Sequence, residues 1–242
     1  FAKSSNVVAA QLAYAVGPGI VAQTAHRVGI VSKLSAMPSI ALGTSVVTPL
    51  ELTQSYAAFA NGGMRVNAFG VTRIRTRSGK VLYTRHGSGL GRAMSPENAA
   101  AVTRLMTEVV ATGTGRAAKL DQRDTAGKTG TTQDFHDAWF MGFSADYVCG
   151  VWFGNDDATP MKHVTGGTLP AHLFKTFMED AEKGLPPRPL AGLTLVAEAQ
   201  PQTTPATGES APAAPEPAPA APANDDKPQT FEGILDKLFG GT

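Results

Sequence analysis

With one cysteine in 242 residues, Cys149, the chain has no means of forming an internal disulfide. Cys149 sits in the apolar run Tyr147-Val-Cys-Gly-Val-Trp-Phe153, a setting that suits a small buried hydrophobe better than a nucleophile. Five histidines (26, 86, 136, 163 and 172) show no ligand spacing such as a pair four apart on a helix, so no metal is expected, and no cofactor. Charge of one sign is lacking as well. The 21 Lys and Arg against 20 Asp and Glu leave a net charge of +1, and the absence of a dense basic run disfavours nucleic acid as a partner. No apolar stretch is long enough to span a bilayer, so a membrane anchor is expected outside this sequence.

The start imitates a signal peptide, with Lys3, the apolar run Val7 to Val16 and Ala13-Tyr-Ala15 as a mock cleavage site. Asn6 and Gln11 interrupt it, and no methionine precedes Phe1. A mostly apolar helix buried in a core accounts for it equally well, and the chain reads as a piece of something longer.

The 42% hydrophobic content is enough for one ordinary domain with a core. Residues 4 to 16 read as a helix capped by Ser4 or Ser5 and stopped by Gly17-Pro-Gly19; a second runs from about Ile20 to Val28. Residues 35 to 48 read as a small-residue loop. Thr48-Pro-Leu-Glu51 combines a threonine cap, proline at the first helical position and glutamate three after the cap, and opens a helix that Asn61-Gly-Gly63 ends. Val71 to Arg77 and Val81 to Thr84 form a hairpin, with Arg73, Arg75 and Arg77 either a binding patch or, preferably, the wet face of an antiparallel sheet. Ser95-Pro-Glu97 opens another helix, with Val102, Leu105, Met106, Val109 and Val110 as core. Thr112-Gly-Thr-Gly115 lacks the flanks of a nucleotide loop and reads as a helix end and turn. Three antiparallel strands then cover the run after Asp124, Ala138 to Ser144 and Tyr147 to Gly154, and residues 168 to 181 form a last helix. The class is α+β.

The chemistry concentrates in Asp124-Thr-Ala-Gly-Lys-Thr-Gly-Thr-Thr132. On a strand, Lys128 and Gly130 share one face and Thr129 and Thr131 the other. Glycine inside a strand marks the close approach of a backbone or ligand. A compact cation, hydroxyl donors and the N–H groups of an unpaired strand edge suit a carboxylate and a developing oxyanion. Gly127-Lys-Thr129 is not a P-loop, because Gln122 stands where that loop needs glycine and no helical pattern follows.

Beyond about Leu190 the composition changes. Eight of 17 prolines fall between Pro201 and Pro228, so residues 191–228 read as a linker. Residues 229–242 follow as a short amphipathic helix, with Phe231, Ile234, Leu235, Leu238 and Phe239 on one side; Asp225, Asp226, Glu232 and Asp236 argue against an anionic membrane as its target.

Lys128-Thr-Gly130 gains a partner in Ser4-Ser-Asn6 at the start of a helix, two of the three motifs of class A β-lactamases and penicillin-binding proteins in the right order. Longer wording is more specific: Leu42-Gly-Thr-Ser, Thr48-Pro-Leu-Glu-Leu52, Phe59-Ala-Asn-Gly-Gly63, Gly127-Lys-Thr-Gly-Thr-Thr132, Asp137-Ala-Trp-Phe140, Gly150-Val-Trp-Phe-Gly-Asn-Asp156 and Gly166-Gly-Thr-Leu-Pro170. Together they resemble the transpeptidase domain of bifunctional, class A penicillin-binding proteins, over roughly Phe1 to Pro186.

That resemblance implies the penicillin-binding, β-lactamase-like serine transferase fold over residues 1–190, truncated at its N-terminus and followed by a disordered tail. It implies D,D-transpeptidase activity on peptidoglycan stem peptides ending in D-Ala-D-Ala, with β-lactams as mimics. It places the protein in the bacterial cell envelope, on the periplasmic face of the inner membrane, with a cell-wall assembly protein as a partner for residues 229–242. Carried over by position, Ser4 and Lys128 help move the proton, Asn6 binds the substrate amide and the catalytic lysine, and Thr129, Gly130, Thr131 and Thr132 hold the substrate. The Thr131 N–H forms half of the oxyanion hole. The family's Ser-x-x-Lys nucleophile occurs nowhere in the chain, so it is expected upstream together with a glycosyltransferase domain, and the piece alone is expected to be inactive. A β-lactamase-type hydrolase and a non-catalytic binding or scaffold module remain as alternatives.

Overall fold

The computed structural model describes residues 1–87, 90–191 and 193. The linker reading over 191–228 therefore falls almost wholly outside the described residues, and that of a tail helix over 229–242 entirely so. Two short helices come first, α1 (Asn6–Val16) and α2 (Pro18–Val28), then a 3-10 turn (Pro38–Leu42) inside the expected loop. Helix α3 (Pro49–Ala60), hairpin strands β1 (Arg73–Arg75) and β2 (Val81–Thr84), and α4 (Pro96–Ala111) lead to a sheet of β3 (Ala126–Thr131), β4 (Asp137–Phe143) and β5 (Val148–Gly154). Helix α5 (Leu169–Ala181) follows. The sheet is antiparallel in the order β3-β4-β5, so β3 is an edge strand among the described residues.

Alternation along β4 decides what covers each face. Phe140 meets Phe174 of α5 with ring centroids 4.8 Å apart, in a cluster with Val110, Leu120 and Met178. Met141 points the other way and receives the Thr53 hydroxyl of α3 at 3.7 Å. A Cβ on Gly150 would lie 2.1 Å from that Thr53 oxygen, so this glycine lets α3 settle against β5. Phe143 joins Met106 of α4, Ala126 and Leu190, with Tyr56 and Phe59 packed alongside.

The Thr48 capping box forms as expected, both reciprocal bonds being present. Its glutamate does more than cap. Glu51 is buried and accepts hydrogen bonds from the Val31 N–H at 2.7 Å, the Ser32 N–H at 2.9 Å, the Ser32 hydroxyl and the Thr48 N–H at 2.6 Å, tying the loop after α2 to the start of α3. Burial alone would raise its pKa; the bonds from Ser32, Thr48 and Val31 outweigh that and hold it at about 2.

The far end of the domain is closed by a clasp. Arg123 Nε pairs with the buried Glu182 carboxylate at 3.0 Å, the Ser144 hydroxyl donates to the same carboxylate, and Asp146 pairs with Arg123 and Arg188. Leu190, whose N–H donates to Asp124 at 3.4 Å, is buried beneath it.

Several expectations need correction. Helix α1 is little covered within these residues: only Ala13 is buried, while Val7, Val8, Leu12 and Tyr14 are exposed, and its described neighbours are α2 and the 3-10 turn. Ser5 occupies its N-cap without a side-chain capping bond. On α4, Leu105 is exposed and Thr103 buried; the buried stripe runs through Ala99, Thr103, Met106 and Val110, and Leu105 falls outside it. The hairpin forms as an antiparallel pair with Arg73, Arg75 and Arg77 exposed, as expected of a wet face; among the described residues β1 and β2 pair only with each other, and Ile74, Val81, Leu82 and Tyr83 are exposed as well. Cys149 is half-buried against the α5 cluster, which pushes its thiol up to about 11.

No single described helix is long and apolar enough to cross a membrane; α1 and α2 pass that test only as a pair, bent by 96°.

Candidate active site

Strand β3 brings the signature residues to an edge, and three other segments wall it. The chain start turns tightly, with the Ser4 N–H donating to Phe1 O at 2.9 Å and Ser4 held at φ 52°, a left-handed conformation disfavoured for serine. This turn is held against the one after α4 by the Thr114 N–H, which donates to Ala2 O at 3.1 Å. Ser4 is thereby presented to β3. Lys128 Nζ donates to the Ser4 hydroxyl at 2.8 Å and to Thr129 O at 2.9 Å, leaving its third N–H unassigned.

Lys128 forms no ion pair among the described residues. Burial without a counter-charge lowers its pKa. Lysine and serine so placed form a relay: the amine can take the hydroxyl proton, or the ammonium can supply one through it, at less cost than a solvated lysine.

The threonines are engaged differently. Thr129 and Thr114 share a hydrogen bond between their hydroxyls at 2.6 Å. One hydroxyl must donate and the other accept, so the acceptor retains a hydrogen for a ligand. The Thr131 hydroxyl accepts the Gly166 N–H at 3.0 Å, which leaves its own hydrogen available. The Thr132 hydroxyl accepts the Asp137 N–H at 2.7 Å and closes the β3–β4 connection.

The close approach expected at Gly130 is real, but the steric demand falls on its neighbour. A Cβ on Gly130 would meet the Trp139 side chain at ordinary contact distance, nearest at Cβ, 3.4 Å. One on Gly166 would lie 2.2 Å from Trp139 O, 2.6 Å from Gly130 O and 2.9 Å from Gly130 N. A bare backbone is therefore what lets the loop before α5 lie on β3.

Ser4 and Lys128 are brought into contact. Asn6, exposed as the first residue of α1, is not bonded to Lys128. Two residues beside β3, Thr114 and Gly166, carry little signal of that position in the sequence. Thr114 lies in the turn that ends α4, and its one signal is a short, glycine-flanked hydroxyl. Gly166 was visible within Gly166-Gly-Thr-Leu-Pro170 but had no chemical role to advertise.

The family model for the penicillin-binding protein transpeptidase domain matches residues 1–179. Penicillin-binding protein 1A of Neisseria meningitidis serogroup A is 39% identical over 188 residues, covering 75% of this chain and 24% of that protein. Its counterpart in Aquifex aeolicus is 38% identical over 179 residues, covering 74% and 24%. The chain thus spans about a quarter of the length of these curated relatives. Among solved structures, penicillin-binding protein 1A from Haemophilus influenzae superposes with a TM-score of 0.71 at 25% identity, over 78% of this chain and 34% of that one. The PonA1 protein of Mycobacterium tuberculosis, in complex with penicillin V, gives 0.61 at 25% identity, over 69% and 52%.

Proposed function

The chain belongs to the penicillin-binding protein transpeptidase family, and from that membership we propose that it supplies the proton-transfer and carboxylate-binding part of a peptidoglycan D,D-transpeptidase site. The single observation that carries this reading is the 2.8 Å bond between Lys128 Nζ and the Ser4 hydroxyl, a base-and-relay pair at a strand edge. In the proposed reaction a serine oxygen attacks the carbonyl carbon between the two terminal D-alanines and the C–N bond breaks. The serine's proton reaches the departing amine by way of Lys128 and Ser4. The amine of a neighbouring stem peptide then displaces the serine and forms the cross-link. A β-lactam enters the same way, but its leaving nitrogen stays tethered.

The acyl-accepting serine is assigned to residues outside these 242, which hold no Ser-x-x-Lys. Asn6 is assigned to the substrate amide. The free hydrogens of Thr131 and of the Thr114–Thr129 pair are directed at the terminal carboxylate, and the Thr131 N–H at the oxyanion. Gly130 keeps the floor of the site low, and Thr132 sets the strand's end. The intact protein is placed in the bacterial envelope, on the outer side of the cytoplasmic membrane.

The test is the intact mass of the natural full-length protein after exposure to penicillin. One stable drug adduct, mapped to a serine outside this sequence, is the expected result. Drug binding without an adduct would favour a non-catalytic module, and rapid release of hydrolysed drug a β-lactamase-type hydrolase.

A further inference from the structure

Between Glu51 and Glu97 the sequence holds six arginines, one lysine and no carboxylate, so all 20 acidic residues lie elsewhere in a chain of net charge +1. The centre of this stretch is the β1–β2 hairpin. Arg73, Arg75, Arg77 and Lys80 form no ion pair with any described residue. Ile74 and Tyr83 face each other across the two strands, and with Val81 and Leu82 they are 42–61% exposed. A two-stranded ribbon with neither face packed is marginal in water by itself, and an apolar cluster ringed by unpaired cations marks a contact surface.

We propose that this hairpin is the docking site for the chain's own C-terminal segment, residues 225–242, which lies outside the described residues. The segment matches in both sign and pattern. Asp225, Asp226, Glu232 and Asp236 outnumber Lys227 and Lys237, and Phe231, Ile234, Leu235, Leu238 and Phe239 recur at the spacing of one helix face. Apolar contacts supply the area, and the opposed charges supply orientation and selectivity. Reach is sufficient: residues 194–230 can extend on the order of 100 Å at about 3.1 Å per residue, against a radius of about 16 Å for a domain of this size. Leu169, Leu173 and Phe177 make a second exposed apolar stripe on α5. Its neighbours Lys175 and Glu179, and Lys183 and Asp180, neutralise one another, so nothing there selects an acidic segment.

The experiment places the photo-cross-linking residue benzoylphenylalanine at position 82 of the intact protein and maps its products by mass spectrometry. Intramolecular links to residues 231–239 are expected. They should be lost in the triple variant Arg73→Glu, Arg75→Glu, Lys80→Glu, whose positions are exposed and outside the core, and recovered when Asp225→Lys, Asp226→Lys and Glu232→Lys are added. Links only to lipid or to another protein, or links to the tail that are indifferent to both sets of charge reversals, would overturn the proposal.

Discussion

Ser4 and Lys128, 124 positions apart in sequence, share one hydrogen bond of 2.8 Å. Because burial lowers the lysine pKa, the neutral amine appears at lower pH than in a solvated lysine. Acylation of the intact protein by a β-lactam should rise with pH through that lowered value, and Lys128→Ala should slow it by about 10²–10⁴-fold. Unchanged acylation rates would remove Lys128 from the mechanism.

The same shift has a stability side. A lysine whose folded pKa is depressed costs stability while it is charged, and the cost fades as pH rises through that pKa. Lys128→Met should therefore leave Tm unchanged or raise it at neutral pH while acylation collapses. A fall in Tm matching the loss of acylation would indicate a structural lysine instead.

Thr114→Val removes the partner of the Thr129 hydroxyl without removing volume. With one donor misplaced, the carboxylate should bind about tenfold more weakly, the equivalent of about 1.4 kcal/mol, while the limiting acylation rate changes little. The KM-like and rate-like parts of β-lactam acylation separate the two.

The glycines 130 and 166 should differ in stability though both affect acylation. Gly166→Ala meets backbone at 2.2 Å and must push the loop off β3, costing about 1–3 kcal/mol and acylation together. Gly130→Ala meets the Trp139 side chain no closer than 3.4 Å, so its Tm should hold while acylation drops. Thermal melts of both variants beside acylation rates decide the matter.

Glu51→Gln keeps one acceptor oxygen and loses the charge that holds Val31, Ser32 and Thr48. The expected loss is about 2–3 kcal/mol at pH 7. A carboxyl whose folded pKa is about 2, against 4.5 ordinarily, contributes fully above pH 4.5 and loses that contribution as pH falls toward 2. Denaturant melts of wild type and variant should thus converge across that window.

The capping box and the β3–β4–β5 order were legible because each is written locally, in a cap three residues from its glutamate and in apolar runs parted by short breaks. Glu51's second duty was not, because two of its partners are the backbone N–H groups of Val31 and Ser32, and the Ser32 hydroxyl lies 19 positions away with nothing in the sequence to link it to a glutamate. Helix α1 is apolar nearly all round yet mostly exposed within these residues. An apolar circumference says that a helix can be buried, not that anything stands beside it. On α4 the periodicity was right and its phase partly wrong, since Thr103 contributes to the buried stripe as a small residue whereas a hydrophobicity reading favours Leu105. At the site, Lys128 and its threonines announced themselves by type. Thr114 was hidden because a hydroxyl in a turn gains meaning only from what the fold sets opposite it.

Strand β3 reaches the sheet's edge with no further strand beside it among the described residues. A bare edge invites self-pairing and aggregation, and proteins commonly blunt such edges by keeping them short and placing lysine on them. At six residues, with Lys128 in its middle, β3 meets both conditions. The side chain that bonds Ser4 is thus also the one that discourages two copies from zipping together along this edge.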